Sequence, residues 1–323
     1  MHERQDNYRG SEKIITREDI RSFYSNAAIS SQDSLCCPTN YREEQLSHIP
    51  KKVLEISYGC GSPMGRAGIQ NGETVIDLGS GGGIDCFIAA KMVGANGKVY
   101  GIDMTEEMLK VARGNADKVA KKLGFRNVEF KMGFLESIPI ENVSADLVTS
   151  NCVINLSTNK DNVFKEIYRI LKVGGRFMIS DIIANQPVPQ KMRENKELWG
   201  ECISGAFTLE EFLNTAQKYN FTGLAVRKDY LWKTINEIDF YSFTLQGHKL
   251  SFAEEPSRKT LDVVYVGPFS SINLQGSEYT LGVTKKVDEN TAKLLSSTPF
   301  LDHFNIMDPE KSAPNDADSA CCG

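Results

Sequence analysis

The feature that most constrains this 323-residue chain is one loop, Asp77-Leu78-Gly79-Ser80-Gly81-Gly82-Gly83. It joins a short apolar run, Glu73 to Leu78, to an apolar stretch of helical length, Ile84 to Val93. Glycines at 79, 81 and 83 let the backbone turn tightly and approach a ligand closely, because no Cβ intrudes. A strand, a glycine-rich turn and a helix in that order put the loop at the carboxyl end of a parallel strand, where doubly wound sheets bind ligands. The rest of the segment keeps the alternation. Strands are expected at Lys98–Asp103, Val128–Met132, Ala145–Ser150 and Arg176–Asp181, with helices at Glu106–Leu123 and Asp161–Leu171. Strands separated by helices mean an α/β fold with a mostly parallel sheet covered on both faces.

Beyond this core, helices are expected over Gln190–Cys202 and Leu209–Tyr219, and closing strands over Leu224–Lys228 and Phe240–Leu245. Ser251–Lys259 reads as a linker. Leu261 to about Phe304 has strand-and-turn character with a short helix near Thr291–Leu295. The expected organisation is an irregular or helical N-terminal segment (1–50), a main domain (51–248), a small mixed α+β C-terminal module (249–307), and a disordered polar tail (308–323).

Composition excludes several classes. Net charge is −5 and no Lys/Arg block makes a nucleic-acid footprint. No run approaches the apolar length of a membrane span. The first residues lack the apolar stretch of a signal peptide, so a cytoplasmic protein that partners neither nucleic acid nor membrane is expected, and nothing requires more than a monomer. There are four histidines, none between Tyr58 and Phe240, which disfavours chemistry needing an imidazole base. The eight cysteines are unusual for such a protein: Cys36, Cys37, Cys60, Cys86, Cys152, Cys202, Cys321 and Cys322. None has the Cys-x-x-Cys spacing of a zinc site, and in a reducing compartment they suggest core filling, metal binding or redox chemistry.

Glycine-rich loops also serve dinucleotide-binding Rossmann domains, where pyrophosphate sits on the helix N-terminus. Here Asp77 precedes the loop and Asp85 lies in the first turn of the helix, so negative charge stands where pyrophosphate would go. A ligand with an amino acid end and a sulfonium fits better. Asp103, ending the second strand, is placed to bond the hydroxyls of a ribose. The loop resembles the first motif of Rossmann-like S-adenosylmethionine methyltransferases, and Gly101-Ile102-Asp103-Met104 resembles their second. The resemblance implies that Asp77, Gly79, Ser80, Gly81 and Gly83 line the methionine end, that Met104 packs on the adenine, and that Leu135 and Glu136 reach its edge. Asn151 is a further candidate for cofactor contact.

Three cysteines fall on loops that the topology can bring to one sheet edge. Cys152 follows the fourth strand, Cys60 lies in a glycine-flanked and therefore flexible loop before the first, and Cys202 follows the fifth. Singly, each is more often a buried apolar filler than a ligand. Their motifs are more specific: Tyr58-Gly59-Cys60-Gly61, Asp77 to Gly81, Gly101 to Thr105, Ser150-Asn151-Cys152-Val153-Ile154-Asn155-Leu156, and Trp199-Gly200-Glu201-Cys202-Ile203-Ser204-Gly205-Ala206. Over roughly residues 55 to 245 the chain resembles the arsenite methyltransferases. That resemblance implies that Cys60, Cys152 and Cys202 bind trivalent arsenic, with arsenite and methylated arsenicals as substrates. S-adenosylmethionine would be the methyl donor, and a glutathione- or thioredoxin-type thiol the reductant, in arsenic detoxification. Arsenic(III) is thiophilic, and three thiolates leave it a lone pair, so methyl transfer needs no general base. Cys86 reads equally as core or redox residue, and Cys36 or Cys37 as the counterpart of an N-terminal family thiol. Cys321-Cys322 reads as a chelating pair or an inert tail. Asp181, ending the fifth strand, is a weaker candidate. The rivals are a methyltransferase of small organic molecules and a non-catalytic protein that sequesters soft metals.

Overall fold

The computed structural model describes residues 16–29, 41–251, 257–274, 276–296, 300 and 302–308. Two short segments precede the sheet. The helix α1 spans Arg17–Ile29, and α2 (Glu43–Leu46) and α3 (Lys51–Leu54) lead into the Cys60 loop. The doubly wound core follows as β1 (Thr74–Leu78), α4 (Ile84–Val93), β2 (Lys98–Asp103), α5 (Glu106–Leu123), β3 (Val128–Met132), β4 (Ala145–Asn151), α6 (Lys160–Ile170) and β5 (Leu171–Ala184). The elements expected in the core are all present. β1 reads as a near-continuous apolar run because Val75, Ile76 and Leu78 are buried between helical layers. β2 and β4 flank β1 in parallel, so consecutive strands wind outward from it in both directions. The reversal opens a crevice above the carboxyl ends of β1 and β4, the position where such sheets take ligands.

The second half departs from expectation in four places. The single helix expected over Gln190–Cys202 is two short ones, α7 (Gln190–Arg193) and α8 (Lys196–Gly200). Asn195 is the cause. Its side chain accepts from the backbone N–H groups of Glu197 and Leu198, both at 3.0 Å, which stabilises a new helix start over a continued one. After β6 (Phe207–Thr208) and α9 (Leu209–Lys218), the two closing strands are much longer than expected: β7 spans Thr222–Ile235 and β8 Ile238–His248. They form an antiparallel hairpin closed by Asn236 and Glu237, both with φ in the left-handed region (51° and 64°), as the twist-matched two-residue turn requires. The hairpin outruns the sheet and brings Tyr230 and Trp232 back over the crevice. β8 lies antiparallel against β5, so the order is β3-β2-β1-β4-β5-β8-β7.

The C-terminal stretch is a small mixed module with a sheet of its own, and it is also joined to the main sheet. β9 (Thr260–Tyr265), β12 (Thr284–Asp288) and β13 (Phe304–Met307) form a three-stranded sheet with α10 (Glu289–Leu295) beside it. β10 (Ser271–Leu274) and β11 (Ser277–Thr280), however, extend the main sheet beyond β7. Phe300 stacks on His248 of β8 with ring centroids 4.7 Å apart. Among the described residues no helix is long and apolar enough to cross a membrane.

One buried ion pair ties β5 to the segment that enters β1. Arg176 of β5, 7% exposed, makes a two-pronged bond to Glu73 (2.7 and 3.0 Å) and donates to the carbonyls of Ala67 and Gly68. Arg176→Ala leaves that carboxylate without its countercharge, holding only the Gln70 N–H, and takes a donor from each of the two carbonyls. The expected loss is about 3–5 kcal/mol of unfolding free energy in chemical denaturation. A loss below about 1 kcal/mol, the range of a solvated pair, contradicts the assignment.

Candidate active site

The crevice is a deep cavity of about 1260 Å³ of empty space, counting open solvent at its mouth. Its floor is the glycine loop. Gly79 and Gly81 adopt left-handed backbone (φ 70° and 50°), and a Cβ on Gly79 would meet Val153 at 2.4 Å. Asp77, Gly79, Ser80, Gly81, Asp103 and Met104 line the cavity, as do Leu135 and Glu136 from the loop after β3. Gly83 does not. It is the left-handed N-cap of α4, and its missing Cβ makes room for the ring of Phe130 at 2.8 Å, so it serves helix-to-strand packing.

Charge is arranged for a cation. Asp77, 2% exposed, accepts from Thr149 Oγ1 at 2.9 Å, and Asp85, 4% exposed, accepts from the Tyr41 hydroxyl and from Asn151 Nδ2 at 3.1 Å. Burial pushes both carboxyls above their usual range, and for Asp77 the neighbouring Asp85 adds to the shift. Among the described residues neither has an ion-pair partner. Asp103 accepts from the backbone of Gly81 and Thr105, both at 2.8 Å. Ser80 Oγ, buried, has no hydrogen-bond partner among the described residues. Two buried acids, an orphaned hydroxyl and a further acid across the floor fit the cationic amino acid end and the ribose of S-adenosylmethionine.

The opposite wall carries sulfur. Cys152, half-buried, and Cys202, buried, line the cavity, and Cys60 is buried behind them; none of the three is in a disulfide. The sulfurs of Cys60 and Cys152 and a carboxylate oxygen of Asp181 lie within 4.8 Å of one another, and the Cys202 thiol donates to the Cys152 carbonyl at 2.8 Å. Cys152 (φ 61°) and Cys202 (φ 63°) both have left-handed backbone, strained for a non-glycine residue at about 1–3 kcal/mol each. Their thiols stay protonated. Cys202 opposes the shift at Cys152, but contact with the Cys60 thiol and burial push Cys152 up. Contact with Cys152 and then burial do the same at Cys202.

Two expectations change. The Cys60 loop is clamped, not flexible. The Cys60 N–H donates to Asn151 Oδ1 at 3.0 Å, and its carbonyl accepts from Ser242 and from Tyr230 at 3.1 Å. A Cβ on Gly59 would meet the Asn151 amide, and one on Gly61 would meet Ser180, each at 2.6 Å, so the flanking glycines allow close approach. Asn151 lines the cavity, but its amide is committed to holding this loop: Nδ2 donates to the Gly61 carbonyl and to Asp85, both at 3.1 Å. It positions Cys60 rather than standing free to bind a ligand. Cys86 belongs to the core, 0% exposed, with its thiol directed at Asp77 Oδ2 (3.5 Å), and it does not line the cavity. Cys36, Cys37, Cys321 and Cys322 lie outside the described residues.

Several groups at the site carry no sequence signal. Tyr24 of α1 donates to the Gly200 carbonyl at 2.9 Å and packs with the three cysteines. Arg17 pairs with Glu136 at 3.4 Å, while Lys233 of β7 pairs with Glu201 at 2.6 Å. Each bridges segments far apart in the chain, and only the folded order of strands brings them together.

Fold and cavity define an S-adenosylmethionine-dependent methyltransferase, and residues 69–231 match the family described as a methyltransferase domain. The chain belongs to the arsenite methyltransferase family. It is 33% identical over 318 residues to the arsenite methyltransferase of Aquipseudomonas alcaligenes, covering 90% of each chain. It is also 33% identical over 316 residues to that of Homo sapiens, covering 90% of this chain and 83% of the other. The solved arsenic(III) S-adenosylmethionine methyltransferase of Chlamydomonas reinhardtii superposes with a TM-score of 0.66 at 34% identity, covering 82% of this chain and 94% of that one. Residues 254–323 match a domain of unknown function, DUF8838.

The raised carboxyl pKa values of Asp77 and Asp85 give cofactor binding a pH dependence. A cation favours their ionised form, so binding releases protons, and affinity rises with pH until the free-enzyme carboxyls are ionised. Calorimetry in buffers of different ionisation heat should show proton release and weaker binding as the pH falls. A pH-independent affinity with no proton release contradicts the acid-pair reading.

Proposed function

We propose that this enzyme methylates trivalent arsenic, arsenite first and methylated arsenicals after it, held by Cys60, Cys152 and Cys202. The observation that carries this reading is the meeting of those three cysteines, from three separate loops, beside the cavity: Cys152 and Cys202 line it, and Cys60 lies buried against Cys152. Arsenic(III) is pyramidal and thiophilic, so three thiolates fill its bonding positions and leave a lone pair. Capture needs no external base. Each protonated thiol exchanges for an arsenic-bound hydroxyl, its proton leaving with that hydroxyl as water. Bound in the cavity, S-adenosylmethionine supplies an electrophilic methyl group to that lone pair.

The chain's own part is positioning, which can supply several kcal/mol of barrier reduction. Asn151 and Tyr230 fix the Cys60 loop from two sides. The left-handed turns at Cys152 and Cys202 set both residues in the cavity wall, which Ile20, Tyr24, Leu156 and Trp232 shield with apolar surface. A methyl group already on arsenic takes one thiolate position and finds that surface. Forming the arsenic–carbon bond uses the lone pair, so arsenic rises from the trivalent to the pentavalent state. Two thiols return the two electrons by closing a disulfide, and a reductant of glutathione or thioredoxin type reopens it.

Cys60→Ser, Cys152→Ser and Cys202→Ser should each reduce arsenite methylation at least about 100-fold, since positioning by all three is lost, while leaving cofactor affinity unchanged. The assay separates arsenic species over time with arsenite, S-adenosylmethionine and a thiol reductant. Full activity in the Cys152 or Cys202 variant removes the three-thiolate site.

A further inference from the structure

Asp181 is unused by the chemistry proposed above. It lies on β5, 1% exposed, and is not among the residues lining the cofactor cavity. Yet one of its carboxylate oxygens is grouped with the sulfurs of Cys60 and Cys152, all three donor atoms within 4.8 Å of one another. Its oxygens are unequally occupied. Oδ1 accepts from Asn155 Nδ2 at 2.8 Å and from the Ile182 N–H at 2.7 Å, whereas Oδ2 has the Asn155 N–H at 3.3 Å. Oδ2 thus keeps the capacity for a further bond, and Asn155 holds the carboxylate in place as outer-shell partners hold metal ligands.

Three thiolates satisfy arsenic; a fourth donor that is an oxygen does not improve its pyramidal site. Sulfur, sulfur and carboxylate oxygen are, however, the donor set of a tetrahedral zinc-class ion. Bonds of 2.3 Å at tetrahedral angles put sulfurs roughly 3.8 Å apart, so the donors need to close by about 1 Å at most, within reach of cysteine side-chain rotation. Charge also balances. Two thiolates and one carboxylate around a dication leave one net negative charge, and the Lys160 ammonium nearby, bonded to the Ser157 carbonyl, is a favourable countercharge.

We propose that Cys60, Cys152 and Asp181 form a site for a soft divalent cation of the zinc and cadmium class, with Cys202 or water as fourth donor, and that its occupancy excludes arsenite. Binding displaces one proton from each coordinating thiol to solvent. No redox change takes place. The exclusion of arsenite rests on the thiol reading of the previous subsection; the cation site itself does not.

The test uses the full-length protein with cadmium as the probe, comparing wild type, Asp181→Asn and Cys152→Ser. All three retain Cys36, Cys37, Cys321 and Cys322, so differences between them isolate the site. Calorimetry and thiolate-to-cadmium absorption should find one more cadmium equivalent in wild type than in Cys152→Ser, displaced one-for-one by arsenite. Asp181→Asn should weaken that equivalent by at least the roughly 10-fold that losing even an outer-shell partner costs, with arsenite affinity unchanged. Cadmium NMR of the wild type supplies a readout independent of how the variant folds. The resonance absent from Cys152→Ser should have the shift of mixed sulfur and oxygen coordination. An all-sulfur shift, equal cadmium affinity in wild type and Asp181→Asn, or no additional equivalent overturns the site. An intact cadmium site at which arsenite binds one-to-one alongside retained cadmium overturns the exclusion and the arsenic reading instead.

Discussion

Asn151 closes β4 with a side-chain amide on which the site's geometry depends. Its oxygen takes the Cys60 N–H, and its nitrogen donates to the Gly61 carbonyl and to Asp85, the acid at the start of α4. The next residue is Cys152. One side chain thus fixes a sulfur loop against the cofactor's acid pair and adjoins a second sulfur. Buried hydrogen bonds of this kind contribute about 1 kcal/mol each, but leaving their partners unsatisfied costs about 1–3 kcal/mol apiece. The arrangement is therefore rigid, as a donor and an acceptor must be if they are to be held in line.

The same stiffness accounts for the strained turns. Cys152 and Cys202 hold left-handed backbone that favours glycine, and each is tied by a short main-chain bond, Cys152 N–H to Ser180 and Cys202 N–H to Trp199. Glycine at either position would relax the turn and remove the thiol. Strain retained where a side chain is chemically needed is the pattern of functional sites. Around it, α1 and the β7–β8 hairpin close the cavity from both sides through Tyr24 and Trp232. The elements that narrow the cavity therefore come from outside the parallel core.

Much of this was legible in the sequence, and the reasons are local. The core strands and helices have clear periodicity and glycine punctuation, so the doubly wound fold and the position of the Asp77–Gly83 loop could be read directly. The cysteine motifs marked three loops that the fold does bring together. What stayed hidden depends on distant partners. The clamp at Asn151 spans some 90 residues to Cys60 and Gly61. Gly83 looked like part of the ligand loop, but the ring it accommodates, Phe130, is on β3. The break between α7 and α8 turned on whether Asn195 would cap a helix or sit within one, a choice that apolar spacing does not encode. The long β7 was obscured because its outer half, Arg227 to Ile235, is largely polar and half-exposed, with register shifts at Lys228/Tyr230 and Leu231/Lys233 that break the apolar alternation.

Three-thiolate capture is tested most directly by X-ray absorption at the arsenic edge, on arsenite bound one-to-one to the full-length protein without cofactor. Three sulfur neighbours in the wild type, falling to two sulfurs and an oxygen in Cys202→Ser, are the predicted result. Two sulfurs in the wild type, or three that persist in Cys202→Ser, would contradict capture by Cys60, Cys152 and Cys202 and place arsenic on other thiols of the chain.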